Sequence, residues 1–162
     1  MSIDDHIEAM VEEIQADCRD DFDLMFMIEK FHAKFGLMYY GPPRNLEGEL
    51  QTFRVGFMRE ELDEYEAAVS CYDLEGQLDA LVDLVYVALG TAYLQGFDFN
   101  EAFRRVHAAN MKKVRAESSN QSKRGTQFDV VKPEGWTPPY LRDLVLSAGE
   151  RISLEVANAS ES

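Results

Sequence analysis

Five carboxylates stand where carboxylates are costly. Glu60, Glu61 and Glu64, in REELDEYEAA, and Asp79 and Asp83, in LDALVDLVYVALG, interrupt two segments with the apolar periodicity of helices. At about 100° per residue the three glutamates fall within roughly a quarter turn, on the arc that Leu50, Phe53 and Phe57 occupy upstream. Asp79 and Asp83 share a face, and Asp83 is the only charge between Ala80 and Phe97. Both helices are thus predicted to carry acids on a core-facing stripe. Burying unpaired ionised carboxylates is expensive, so such a helix pair is expected to hold cations between its members. Hard oxygen ligands suit Mg²⁺ or Mn²⁺. The rival reading puts each acidic pair on a solvated helix edge.

Three further positions carry possible chemistry. Asn110 lies in the apolar stripe of Phe103, Val106, His107 and Val114, with Lys113 one turn on. The pair reads either as ligand contacts or as a buried amide with a snorkelling lysine. His32 flanks the Phe31/Phe35 stripe and follows Glu29 by three residues. Glu-x-x-His is a di-iron spacing, but it occurs once where such a site needs it twice. A core or pocket histidine is therefore the first reading of His32, and contact with a base or nucleotide the second. Trp136, the only tryptophan, reads as a packing anchor. No P-loop, Rossmann or nucleophile-elbow string is present, so phosphate binding has to come through metal and side chains.

The elements that must position these groups are helical. Residues 3–18 read as an amphipathic helix, and Asp21 or Asp23 caps a second helix that Gly36 stops. After a loop over 37–46, helices are predicted from Glu47 to about Ser70 and from about Leu74 to Gln95, the latter apolar on nearly every side and central to the core. Asp98 and Glu101 have capping-box spacing for a helix through Val114. Ser118 to Gln127 reads as a mobile basic loop, Phe128 to Pro139 as a short extended piece with a Pro-Glu-Gly turn, and a last helix is predicted from Thr137 or Pro138 to about Val156.

Composition narrows the function. With 162 residues and 46% hydrophobic content, one domain is expected over residues 1–156, with a disordered tail over 157–162. The formal net charge of −14 opposes general binding to nucleic acid or anionic membranes. Yet Arg104 to Lys132 holds eight basic and two acidic residues, which makes a local anion site plausible. Two cysteines without metal or disulfide spacing, no basic and apolar leader, and an uncharged stretch too short to span a bilayer lead to the expectation of a cytoplasmic protein.

REELDEYEAA, then LDALVDLVYVALGTAYLQG, then VHAANMKKV, in that order, resemble the all-α nucleoside triphosphate pyrophosphohydrolases, which include MazG-like and phosphoribosyl-ATP pyrophosphohydrolase-like proteins. The similarity runs from about Phe31 to Pro139. It implies an all-α, MazG-like bundle of four to six helices, with a short irregular or extended segment before the C-terminal helix. It also implies Mg²⁺, with Mn²⁺ as a substitute, held by Glu60, Glu61, Glu64 and Asp83. The family commonly has an acid where Ala80 stands, and Asp79 is expected to replace it. The Asn-x-x-Lys element corresponds to Asn110 and Lys113, implying sugar or phosphate contact. The implied reaction is attack of water on the α-phosphorus of a nucleoside triphosphate, with Glu60 or Glu61 orienting or deprotonating the nucleophile. Alternatives are a phosphoribosyl-ATP-type substrate, a non-catalytic nucleotide- or metal-sensing module, and a purely helical interaction protein. The family's habit implies a homodimer or homotetramer.

Overall fold

The structure is a computed structural model and describes residues 23–126, 128–147 and 149–153. The predicted helix over 3–18 and the tail over 157–162 lie outside the described residues.

Helix α1, Leu24–Lys34, starts at Asp23, whose Oδ1 accepts from the amides of Met25 (2.9 Å) and Phe26 (3.3 Å). It ends where Gly36 turns into the left-handed region and Leu37 N–H donates to the His32 carbonyl. After the loop over 37–47 come α2, Gly48–Ser70, and α3, Leu74–Leu94. These form an antiparallel hairpin through Cys71 and Tyr72, and Asp73 caps α3 by accepting from Gly76 N–H at 3.1 Å. The 37–47 loop is bolted to the end of α3 by Arg44. Its Nε donates to the Leu94 carbonyl, and its guanidinium lies 3.6 Å from the Tyr39 ring centroid.

Helix α3 is the hub and packs against α1, α2 and α4. By length and composition it is apolar enough to cross a bilayer, yet it carries Asp79 and Asp83 and contributes Val87, Leu89, Ala92 and Leu94 to the core, where Ile28 of α1 is also buried. The all-α expectation holds: the described residues include α-helices over Leu24–Lys34, Gly48–Ser70, Leu74–Leu94 and Phe99–Asn110, a helical segment over 149–153, and a single two-stranded ribbon.

Helix α4, Phe99–Asn110, stops one turn before the predicted Val114. The Asp98 carboxylate accepts from Glu101 N–H as the capping box requires, but the Glu101 carboxylate is taken by Arg104 and Arg105, so the box closes one way only. Beyond Asn110 the chain pairs instead. Strand β1, Val114–Arg115, lies antiparallel to β2, Val130–Val131, with Val114 opposite Val131. Branched valines favour that extended pairing over another helical turn.

Over the described residues, the predicted helix from Thr137 to Val156 is corrected. Residues 137–141 have no regular secondary structure, Arg142–Val145 form a 3-10 turn, and residues 149–153 are helical. The cause is tertiary. Arg105 grips Asp143 with two bonds of 2.6 and 2.9 Å and also donates to the Tyr140 carbonyl, an acceptor that a helix would have used.

Candidate active site

The face that α2 turns toward α3 is not the one the apolar residues mark. Leu50 and Phe53 are exposed, whereas Arg54 and Glu61, seven residues apart and so on one face, are buried. The predicted stripe is corrected accordingly: of the five carboxylates only Glu61 is buried, at 5% exposure, while Glu60, Glu64, Asp79 and Asp83 are exposed. Position 80, where the family pattern expects an acid, holds a buried alanine packed in the core.

The other four acids nevertheless act on Glu61. Burial raises the Glu61 pKa first, and the negative charges of Asp83, Glu64, Glu60 and Asp79 raise it further, in that order. All four neighbours thus lie within electrostatic range of one buried carboxyl, with Asp79 the weakest. Glu61 Oε2 is buried and has no hydrogen-bond partner among the described residues. An orphaned carboxylate oxygen with four more carboxylates in electrostatic range fits a hard divalent cation. Among the described residues, no three His, Cys, Asp or Glu side chains converge tightly enough to enclose an ion in this structure.

Glu61 and Asp83 open into a cavity of about 370 Å³ that is also lined by Phe31, His32, Arg54 and Tyr86. The floor of this cavity is where sequence reasoning fell short. Arg54, 8% exposed, donates from Nε to Thr91 Oγ1 (3.0 Å) and from Nη2 to the Val87 carbonyl (2.5 Å). The residue has no ion pair among the described residues, and burial lowers its pKa. His32, 3% exposed, donates from Nδ1 to the Ile28 carbonyl at 2.9 Å, which fixes the ring's orientation. Gly90 makes room for both, because a Cβ there would meet Arg54 Nη2 at 3.0 Å and His32 Cε1 at 3.1 Å. Two signals pointed to this floor: the seven-residue spacing of Arg54 and Glu61, and a glycine inside an otherwise apolar helix. Phe31 and Tyr86 stand edge to face beside it, with ring centroids 5.3 Å apart.

Asn110 and Lys113 are not brought to this cavity. Asn110 is the exposed last residue of α4, not part of a buried stripe, and α4 makes its main helix contact with α3. Lys113 lines a separate cavity beside the β-ribbon. Trp136 anchors this region as expected, its indole N–H donating to the Ala109 carbonyl at 2.8 Å.

Comparison with curated proteins gives no match. The family model for phosphoribosyl-ATP pyrophosphohydrolase matches residues 28–110, just over half of the chain, from the buried Ile28 to the end of α4. That span contains all five carboxylates and the whole aromatic cavity, and it supports a nucleotide pyrophosphohydrolase kind of function. The chain belongs to the phosphoribosyl-ATP pyrophosphohydrolase family, a group of MazG-like all-helical pyrophosphohydrolases.

Proposed function

We propose that this chain is a Mg²⁺-dependent pyrophosphohydrolase that converts a nucleoside or deoxynucleoside triphosphate into its monophosphate and pyrophosphate. The observation that carries the reading is the buried, unpartnered Oε2 of Glu61, a residue that lines, with Asp83, a cavity walled by aromatic rings. Glu61, Asp83 and Glu64 would hold the ion, with Asp79 and Glu60 at the rim. When bound, Mg²⁺ offsets charge on the polyphosphate and acidifies water nearby.

The chain's own residues do the rest. Phe31, Phe57 and Tyr86 offer an apolar slot for a flat base and keep water from it. Arg54 and His32, fixed by α3 and α1, present polar edges at the base of that slot. Glu60, exposed next to Glu61, accepts the proton of the attacking water. The water oxygen bonds to the α-phosphorus, the bond from that phosphorus to the α,β-bridging oxygen breaks, and pyrophosphate leaves.

The assembly belongs to the same proposal. Leu74, Leu78, Leu81, Val82 and Val85 stand exposed along α3, the helix that also bears Asp79 and Asp83. A second copy of the chain covering this face would give the homodimer or homotetramer, with light scattering in solution as the check.

The deciding experiment is a panel of nucleotides, including phosphoribosyl-ATP, incubated with Mg²⁺ and separated by chromatography. Paired release of monophosphate and pyrophosphate from a triphosphate is expected. Turnover of phosphoribosyl-ATP alone would reassign the substrate, and absence of turnover with any divalent metal would leave a nucleotide- or metal-sensing module.

A further inference from the structure

The cavity that Glu61 and Asp83 line is built in tiers. Because α2 and α3 are antiparallel, moving from Glu61 toward the start of α2 and from Asp83 toward the end of α3 leads the same way. One turn along, the lining becomes apolar, with Phe57 on α2 and Tyr86 and Val87 on α3, joined by Phe31 of α1. Two turns along stand Arg54 and Gly90, with His32 beside them. Seven residues of helix place this last tier about 10 Å from the acids.

Arg54 has donors to spare there. A guanidinium carries five N–H groups and no acceptor. The Nε group goes to Thr91 Oγ1 and one from Nη2 to the Val87 carbonyl, and among the described residues the other three have no partner. Nor does Arg54 form an ion pair among those residues. At 8% exposure, such donors are costly to leave without an acceptor. Nη2 lies over Gly90, at the lining of the cavity, since a Cβ on that glycine would meet it at 3.0 Å. Arg54 also lines a smaller cavity, but only this one includes Glu61 and Asp83.

We propose that Arg54 makes the site selective for nucleotides whose base carries a carbonyl on the edge far from the sugar. The orientation rests on the proposed reaction: with metal and phosphates at the acid tier, the flat base lies among Phe31, Phe57 and Tyr86, and its far edge meets Arg54. In uracil, thymine, guanine and hypoxanthine that edge presents a carbonyl oxygen, which accepts from the guanidinium. In cytosine and adenine it presents an amino group, which sets donor against donor. Arg54 cannot adapt, because it has no lone pair to offer, and an amino base leaves its buried N–H groups unmatched. Selectivity therefore comes from rejection of the wrong edge as much as from attraction to the right one.

The test compares dUTP with dCTP and dITP with dATP, pairs matched in ring size that differ at this edge. With Mg²⁺, kcat/KM is expected to favour the carbonyl member by at least about tenfold in every pair that turns over, and the ratio to fall close to one in Arg54→Gln, whose amide can donate or accept. This ratio does not depend on the fraction of protein that is folded. A purely structural Arg54 would slow all four nucleotides alike and leave it unchanged. The α,β-imido analogues of the same nucleotides, which resist cleavage at that bridge, are titrated calorimetrically with Mg²⁺, and the same preference is expected in their affinities. Equal affinity within the pairs for the natural chain, or an unchanged ratio in Arg54→Gln, overturns the proposal. Selective binding of the carbonyl analogues without turnover of any parent nucleotide sinks the hydrolase reading and leaves the role of Arg54 standing. Turnover without base preference does the reverse, and binding of no analogue at all overturns both.

Discussion

The seam between α2 and α3 and the ribbon after α4 hold opposite charges and handle them differently. In the seam one carboxyl is buried without a partner, and its nearest charges are four more carboxylates. The nearby cation, Arg54, spends its donors on Val87 and Thr91 of α3. In the ribbon the one acid that lines the cavity, Asp129, accepts three hydrogen bonds, and among the described residues its three lysines, Lys113, Lys123 and Lys132, form no ion pair. The two kinds of charge are thus gathered in separate regions of one chain. In the proposed reaction a divalent cation supplies the seam's counter-charge.

The largest effect that would break this contrast is catalytic. Asp83→Asn and Glu61→Gln are each expected to lower nucleotide turnover by at least about 100-fold while far-UV circular dichroism stays unchanged. Retained turnover in either variant removes that residue from the site.

Next comes the floor that the seam rests on. Arg54→Met leaves the Val87 carbonyl and the Thr91 hydroxyl short of a donor, and urea unfolding is expected to show a loss of about 2 kcal/mol. Gly90→Val pushes on both Arg54 and His32, and a loss of about 1–3 kcal/mol with a raised KM is expected. A neutral Gly90→Val would mean that the cavity floor is not fixed.

The helix bounds were legible because their signals are local. Asp23, Asp73 and Asp98 cap the helices they precede, and Gly36 ends α1. The ribbon was half legible: the extended 128–139 stretch shows in the sequence, but its partner, Val114–Arg115, reads as helix until the distant pairing is known. The final helix failed for the same reason, since Arg105 reaches Asp143 across a separation that periodicity cannot see. In the seam the acids were found by type, but their burial was misjudged because Leu50 and Phe53, exposed here, drew the stripe to the wrong face. Arg54 went unnoticed because an arginine in a helix usually marks the solvent side.

A smaller effect sharpens the seam's half of the comparison. The raised Glu61 pKa means that its protonated form stabilises the fold below the ordinary glutamate range, a contribution lost as pH rises through the raised value. Without metal, Glu61→Gln is therefore expected to melt higher than the natural chain at neutral pH, by about 3 °C for about 1 kcal/mol, and the gap to close on acidification. In the ribbon, Trp136→Phe removes one bond to Ala109 and is expected to cost about 1 kcal/mol in urea unfolding, with no change in that pH dependence.

The most direct measurement is thermal unfolding of the natural chain and Glu61→Gln with increasing Mg²⁺, in the absence of nucleotide. A cation that completes the Glu61 carboxylate binds the folded state alone, so the melting temperature of the natural chain is expected to climb with Mg²⁺ while that of Glu61→Gln stays nearly flat. Equal climbs in both proteins, or none in either, would contradict the account.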